Sequence, residues 1–528
     1  MAPIYDTIIV GAGTAGCVLA NRLSADPARK VLLLEAGRAA PRASSIPALW
    51  SSMLNTEVDW SFHTEPQPGC KGRRLYWPRG RMVGGSGALN AMIYMRGVPS
   101  DYDRWAAAGC AGWSWKEVLP FFRLSEQNLR LGASPLHGCE GELVVSDIAH
   151  VDPVERLWLQ AAQAAGLPAN EDFNGPGQEG VGLFQATVKD GARFGTGSAF
   201  LAPALARPNL SLHTGVTLLR LIFEGTRATG VEFLHNGIPG RVTASCEVVL
   251  CAGAVGSPHL LLNSGIGAAD ELSSLGIRPL VDLPGVGKNL QDHVNASITC
   301  ATRERFGIAQ ATDEEAALHM KLWEQGRSGP LASNWSSCGG FARVGPGTGD
   351  PDLQLYCIPS ANRDHNRHLS AGPGITLFSI LQRPQSRGEL RLRSADPLEA
   401  PAIDPRYFSD SQGSDLQLLV EGIRLNREIL RQAPIAEHLG DEISASAGAV
   451  TDAQLRNFVR GHASTLYHPT STCKMGIDDL AVVDPTLRVH GIEGLYVADA
   501  SVFPSMVSGN TNAPTVMVAE RAARFIGT

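Results

Sequence analysis

The chain has 528 residues, 44% of them hydrophobic and 18% charged, which is globular composition long enough for two or three domains around a large core. A formal net charge of −7 gives no basic footprint for nucleic acid or an anionic membrane, and no apolar run approaches the ~20 residues that span a bilayer. The ten Cys show neither CxxC nor zinc-finger spacing, and the opening "MAPIYDTIIVGAG" lacks the basic n-region and cleavage site of a secretory signal, so reduced thiols in a cytoplasmic protein are expected. HExxH, EF-hand and GxxxxGK[ST] patterns are missing from the sequence.

The first element reads strand, turn, helix. "DTIIVGAGTAGCVLANRL" runs from apolar Ile8-Ile9-Val10 through Gly11-x-Gly13-x-x-Gly16 into a helical pattern, and "KVLLLEAG" gives a second buried strand ending at Glu35. This is the setting a dinucleotide fingerprint requires. Gly11 permits the tight turn, Gly13 admits the pyrophosphate, and Gly16 lets helix and strand pack closely. The helix N-terminus holds the phosphates, and Glu35, about twenty residues on, accepts from ribose hydroxyls. The dinucleotide is NAD(P) or FAD, and the fingerprint's place at the head of the chain favours FAD.

From Trp77, "WPRGRMVGGSGALNAMIYMRG" carries five Gly, a poor helix and a poor strand, yet Met82, Val83, Leu89, Met92 and Ile93 are too apolar for a plain surface loop. It reads as backbone laid against a ligand. "DYDRWAAAGCAGWSWKEVLPFF" is helix, aromatic turn, helix; "NLSLHTGVTLLRLIFEGTRATGVEFLHNG" alternates as a β-meander; "CEVVLCAGAVGSPHLLLNSGIG" is a buried strand, Gly turn and helix whose strand can join the first sheet. From about residue 301 to 450 the fingerprints stop. "LQLYCIPS", "ITLFSILQRPQS" and "GELRLRS" read as strands and "SDLQLLVEGIRLNREILRQ" as an amphipathic helix. "GLYVADASVFPS" is a strand running to Asp499, and "GNTNAPTVMVAERAARFIG" enters a helix with Pro514 near its start. The expected fold is α/β (α+β overall): a Rossmann-like FAD-binding domain from 1–155, 195–300 and 460–528, and a second, substrate-binding domain from 156–194 and 301–459 built on an antiparallel sheet with helices.

"LYHPTSTCKMG", Leu466 to Gly476, packs a His-Pro pair, small hydroxyl and thiol residues and a Lys into a segment with no helical or strand period. Such a loop is costly to bury unless its polar groups are bonded or used. His468 is either a structural histidine in a turn or a base; His462, six residues upstream, is read as structural.

The order and content of these segments resemble the glucose-methanol-choline (GMC) oxidoreductases over nearly the whole length, with the style of the bacterial alcohol and choline dehydrogenase branch. "GRMVGGSGALNAMIYMRGVPSDYD" fits the first family signature and "GAVGSPHLLLNSGIG" the second; "PGVGKNLQDH" and "YHPTSTCKMG…VADASVFP…GNTNAPTVMVAE" are also family-like. The resemblance implies FAD bound in an extended form: Gly11, Gly13, Thr14, Ala15 and Gly16 at the pyrophosphate, Glu35 at the adenosine ribose, and Val216 meeting the adenine through its backbone. Met82, Ser86, Asn90, Ala91, Met92 and Ile93 would line the flavin side, and Asp499 and Ala500 would lie by the pyrophosphate and ribitol. Some relatives tether flavin through a His in the Gly-rich segment; Asn90 stands here, with no His in "GGSGALNAM", so noncovalent FAD is expected.

The resemblance also implies that His468 is the active-site base and Asn512 its partner, in the oxidation of an alcohol CH–OH group to aldehyde or ketone with hydride transfer to flavin N5. A neutral imidazole suits proton removal near neutral pH, and an amide can donate to the developing alkoxide. An FAD-containing lyase of the hydroxynitrile type and a photodecarboxylase are the alternatives. The expected partners are a small-molecule alcohol (aliphatic, aromatic, sugar or polyol, or choline) and an electron acceptor (oxygen, quinone or other), with no metal. "SANRDHNRH", Ser360 to His368, reads as a surface loop rather than a lid.

Overall fold

The computed structural model describes residues 4–526 except 310, 347–348, 364–367 and 370–371. Seven described strands form the first sheet, in the order Leu210–Thr214, Val31–Glu35, Ile4–Val10, Ile238–Leu250, Arg227–His235, Val216–Glu224, with Leu495–Val497 also pairing with Ile238–Leu250. Ile8 lies parallel between Leu32 and Val248, and all three side chains are buried. Strands covered on both faces need continuous apolar runs, which is why "TIIV", "VLLL" and "VVL" carry no alternation.

The 13-residue strand Ile238–Leu250 joins two regimes. Its first part pairs antiparallel with Arg227–His235; its last three residues run parallel to Leu495–Val497. The expected meander is shorter than the sequence implies. Val216–Glu224, Arg227–His235 and Ile238–Leu250 form it, while Leu210–Thr214 leaves across Gly215 (φ +70°) and lies parallel to Val31–Glu35 on the far edge. Helix Thr14–Leu23 covers the sheet and packs against helix Asn512–Phe525.

The second sheet is antiparallel, in the order Leu439–Glu442, Val294–Thr302, Gly374–Leu381, Leu353–Ile358, Cys338–Ala342, Gly180–Leu183. Helix Ser414–Arg431 lies on it through Leu416, Leu419, Val420, Ile423 and Ile429, a helical spacing of apolar residues. Two pieces expected in the cofactor domain belong to this sheet. Val294–Thr302 sits inside it, and Ser464–Thr465 pairs with Val294 and Asn295, so the boundary drawn at residue 300 falls before Val294. These pairings place residues 466–468 where the sheets meet. Among the described residues no helix is long and apolar enough to cross a membrane. Positions 364–367 of the Ser360–His368 segment lie outside the described residues.

Candidate active site

Backbone without Cβ atoms builds one end of the site. Gly11 has φ +98°, and a Cβ there would stand 2.6 Å from the Cys251 carbonyl oxygen; at Gly16 it would stand 1.9 Å from the Gly11 carbonyl oxygen. Gly85, in the Gly-rich segment, approaches so closely that a Cβ would lie 2.7 Å from Gly13 Cα. The segment is therefore laid across the first turn, as its composition predicts. Helix Thr14–Leu23 begins after Gly13 with no side-chain cap, leaving its first N–H groups open to an anion. Glu35 accepts from the Ala12 and Gly37 amides at 2.9 and 2.8 Å, one per carboxylate oxygen, and each oxygen keeps a lone pair for a hydroxyl. Burial pushes its pKa up to about 6, against the pull of those amides.

A cavity of ≈ 980 Å³ connects this end to the second sheet. It is lined by Gly11, Gly13, Thr14, Ala15, Glu35, Val216, Ser86, Asn90, Ala91, Met92, Ile93, Asp499 and Ala500, the expected cofactor residues with two exceptions. Gly16 lies behind the lining, where it performs the close packing expected of it. Met82 does not line the cavity: its side chain is fully buried among Trp50, Met53, Leu54, Tyr76 and Leu89, and its carbonyl holds the Gly85 amide at 2.7 Å. Asp499 accepts from the Ser257 hydroxyl (2.6 Å) and the Gly253 amide (2.8 Å), tying helix Gly253–Asn263 to the turn that carries Ala500.

Asn90 is clamped by a buried cation. Arg193 donates to Asn90 Oδ1 (2.7 Å), the Asn90 carbonyl (2.6 Å), the Gly87 carbonyl (3.1 Å) and the Ser44 carbonyl (2.7 Å). This fixes the path of the Gly-rich segment, and burial lowers the guanidinium pKa to about 9.

At the other end, His468 leaves the strand Ser464–Thr465 after Tyr467, which adopts φ +69°. A non-glycine residue in that region carries strain on the order of 1–3 kcal/mol. It is held there by Arg79 on its carbonyl and Thr465 Oγ1 on its amide, and the His468 amide donates to Asp292 Oδ1 at 2.9 Å. Asp292 also accepts from the Tyr407 hydroxyl, and burial raises its pKa to about 6. His468 Nδ1 lies 2.9 Å from Nδ1 of buried His293. Burial, then His293 and Arg79, lower the His468 pKa well below the ordinary imidazole value, so the ring is neutral at neutral pH and keeps one nitrogen unprotonated.

The amide that faces His468 is Asn510. Its Nδ2 stands 3.4 Å from His468 Nε2, and its Oδ1 accepts from Gln354 Nε2 at 3.3 Å, with the Tyr356 hydroxyl 3.1 Å from Nδ2. Asn512, expected beside His468, lies instead at the start of the last helix, where its Oδ1 accepts from the Thr14 hydroxyl at 2.7 Å. The two Asn are separated by one residue in a turn, so they face different ends of the cavity. Within "GNTNAPT" only the alternation of directions could have separated them. His293 lay in the quoted "PGVGKNLQDH" without a local signal, and Gln354 and Tyr356 lay in a strand read only for its apolar pattern. His462, expected to be structural, stacks on Phe458 (4.7 Å between ring centroids), bonds the Phe458 carbonyl and also lines the cavity.

An uncapped helix N-terminus, Cβ-free backbone and a carboxylate at the second strand end form the donor and acceptor set of an FAD site, and a neutral His beside an amide lies at its far end. Fold and site together define a flavin-dependent oxidoreductase. The family models for GMC oxidoreductase match residues 5–295 and 384–519, and the chain belongs to this family. It is 42% identical to an alcohol dehydrogenase [acceptor] of Pseudomonas putida over 99% of this chain and 96% of that protein. It is 44% identical to the mitochondrial choline dehydrogenase of Homo sapiens over 99% of this chain and 89% of that protein. The solved structure of a pyridoxine 4-oxidase from Mesorbium loti superposes with a TM-score of 0.89 at 32% identity, covering 98% of both chains. The cofactor is FAD, and the reaction class is oxidation of a CH–OH group.

Proposed function

We propose that the protein oxidises a neutral alcohol with an apolar or aromatic body, with His468 Nε2 taking the hydroxyl proton and Asn510 Nδ2 donating to the oxygen as it becomes an alkoxide. The observation that carries this reading is the convergence of those two nitrogens, 3.4 Å apart, on the cavity wall formed by Ile93, Tyr356, Phe378 and Leu466. A separation at the long edge of hydrogen bonding leaves both groups free to grip one hydroxyl oxygen between them. The Gln354 donor fixes the Asn510 amide so that its N–H side, not its oxygen, faces the base. FAD, when bound, supplies the two-electron acceptor for the hydride that leaves the carbinol carbon. The chain's own residues hold the proton on His468, stabilise the alkoxide through Asn510, and exclude bulk water with the apolar wall.

Charge placement favours a neutral substrate over a quaternary ammonium. The carboxylates lining the cavity among the described residues are Glu35, Glu399 and Asp499. Glu35 and Asp499 belong to the cofactor turns, and Glu399 accepts from Ser394 beside a backbone that meets His259 on helix Gly253–Asn263. A cationic substrate would find no acidic partner on this wall, only the Tyr356 and Phe378 rings. The ten free thiols support a reducing compartment.

The test is anaerobic mixing of the FAD-loaded protein with hexanol, benzyl alcohol, glycerol, glucose and choline, each repeated with oxygen or an artificial dye as acceptor. Bleaching of the flavin by the apolar alcohols at lower concentration than by choline is the expected result. No bleaching by any alcohol favours the lyase reading; preference for choline refutes the substrate assignment.

A further inference from the structure

We propose that His293 is the positioning residue that fixes the tautomer of His468, so that the lone pair of the base is on Nε2, facing the cavity, before any alcohol arrives. This rests on the reading of His468 as the base.

His293 is fully buried, just ahead of the strand Val294–Thr302, and its Nε2 lies 3.0 Å from the Gln382 carbonyl oxygen. A carbonyl can only accept, so Nε2 of His293 carries a hydrogen. Burial lowers the His293 pKa to about 4, offset in part by the Gln382 and Val507 carbonyls, so the ring is neutral and its Nδ1 is a bare acceptor. That Nδ1 is 2.9 Å from His468 Nδ1. Two ring nitrogens at this distance share one hydrogen, and it must belong to His468. His468 is neutral as well, so its single hydrogen is then used, and its Nε2 is unprotonated. The ring planes stand 79° apart with centroids 5.1 Å apart, and the two rings approach through their Nδ1 atoms.

The orientation of one backbone carbonyl is thereby passed through two imidazoles to the reacting atom. Without the His293 acceptor, the opposite tautomer of His468 becomes available, with Nε2–H aimed at the cavity and no means of taking a proton. The other groups around the pair do not supply this function. Asp292 bonds the His468 backbone amide and the Tyr407 hydroxyl, and Arg79 and Arg383 bring positive charge.

The experiment compares His293→Leu, His293→Asn and His468→Gln as FAD-loaded proteins by anaerobic stopped-flow reduction. ¹⁵N-histidine NMR of the FAD-loaded wild type, with His468 assigned by its loss in His468→Gln, reads the tautomer directly. The proposal expects the Nδ1–H form in the wild type. It expects His293→Leu to slow reduction by about 10²-fold or more at saturating alcohol, as loss of a competent base does, with FAD retained. It expects His293→Asn, whose side-chain oxygen can accept from His468 Nδ1, to recover reduction to within several-fold of wild type. The Nε2–H form in the wild type, near wild-type reduction in FAD-loaded His293→Leu, or an Asn variant as slow as Leu would each overturn it. Should His293→Leu fail to fold, the wild-type tautomer and the Asn variant still decide. If His468→Gln also reduces at the wild-type rate, the base assignment itself fails; if only His293→Leu does, that assignment stands and the positioning role falls.

Discussion

Thr14 donates its hydroxyl hydrogen to Asn512 Oδ1 at 2.7 Å, across 498 residues of chain. The bond joins the start of the fingerprint helix to the start of the last helix, so the Asn that the family pattern pointed to serves the cofactor end. Asn512→Ala and Thr14→Val are therefore expected to weaken FAD retention while leaving the reduction rate per bound flavin within a few-fold of wild type. Asn510→Ala should do the reverse, keeping FAD and slowing reduction by roughly 10²-fold, the loss typical of an oxyanion donor. FAD content after gel filtration and stopped-flow reduction separate the two; equal behaviour of the two Asn variants would contradict the assignment.

Glu35 should make FAD affinity depend on pH. Its pKa is raised by burial to about 6, so the carboxylate that accepts ribose hydroxyls is progressively protonated as pH falls through that value. The FAD dissociation constant should rise on acidification from neutral pH to about 5 and be flat on the alkaline side, read by fluorescence of released flavin. Glu35→Gln should flatten the curve, and Glu35→Ala should lose about 1.5–3 kcal/mol of binding at neutral pH.

Flavin reduction should be nearly independent of pH through the neutral range. Burial, His293 and Arg79 lower the His468 pKa well below the ordinary imidazole value, so the ring is already deprotonated there. The rate should fall only on the acid side, where the base becomes protonated, and that limb should vanish in His468→Ala, whose rate drops by about 10²–10⁴-fold. A limb centred in the usual imidazole range would refute the buried, neutral base.

Arg193 and Asn90 predict how FAD is held. Acid precipitation should leave the yellow colour in the supernatant, because Asn90, locked to Arg193, offers no ring nitrogen for a covalent bond. Arg193→Met should leave the Ser44, Gly87 and Asn90 carbonyls without this donor, costing about 1–3 kcal/mol of stability and loosening FAD. Thermal melting with and without added FAD measures both effects.

The parts legible in the sequence were those whose cause is local. Gly11 is glycine because its turn takes φ +98°, Gly16 because a Cβ would strike the Gly11 carbonyl in the same strand-turn-helix unit, and the buried strands declare themselves by unbroken apolar runs. What was missed depends on direction or distance. Met82 sits in the Gly-rich segment, but its side chain is fully buried in the Trp50 cluster, whose Trp50, Leu54, Tyr76 and Leu89 line the cavity in its place. Leu210–Thr214 shares the alternation of the meander, and only its pairing with Val31–Glu35 shows that it crosses to the other edge. His293 meets His468 over 175 residues, and no spacing rule spans that gap.

The bond between Thr14 and Asn512 also orders events during synthesis. The Gly11–Leu23 turn and helix leave the ribosome hundreds of residues ahead of the helix Asn512–Phe525 that packs against them. Until that late segment arrives, the nascent chain has a half-built nucleotide cleft with apolar flanks open to water.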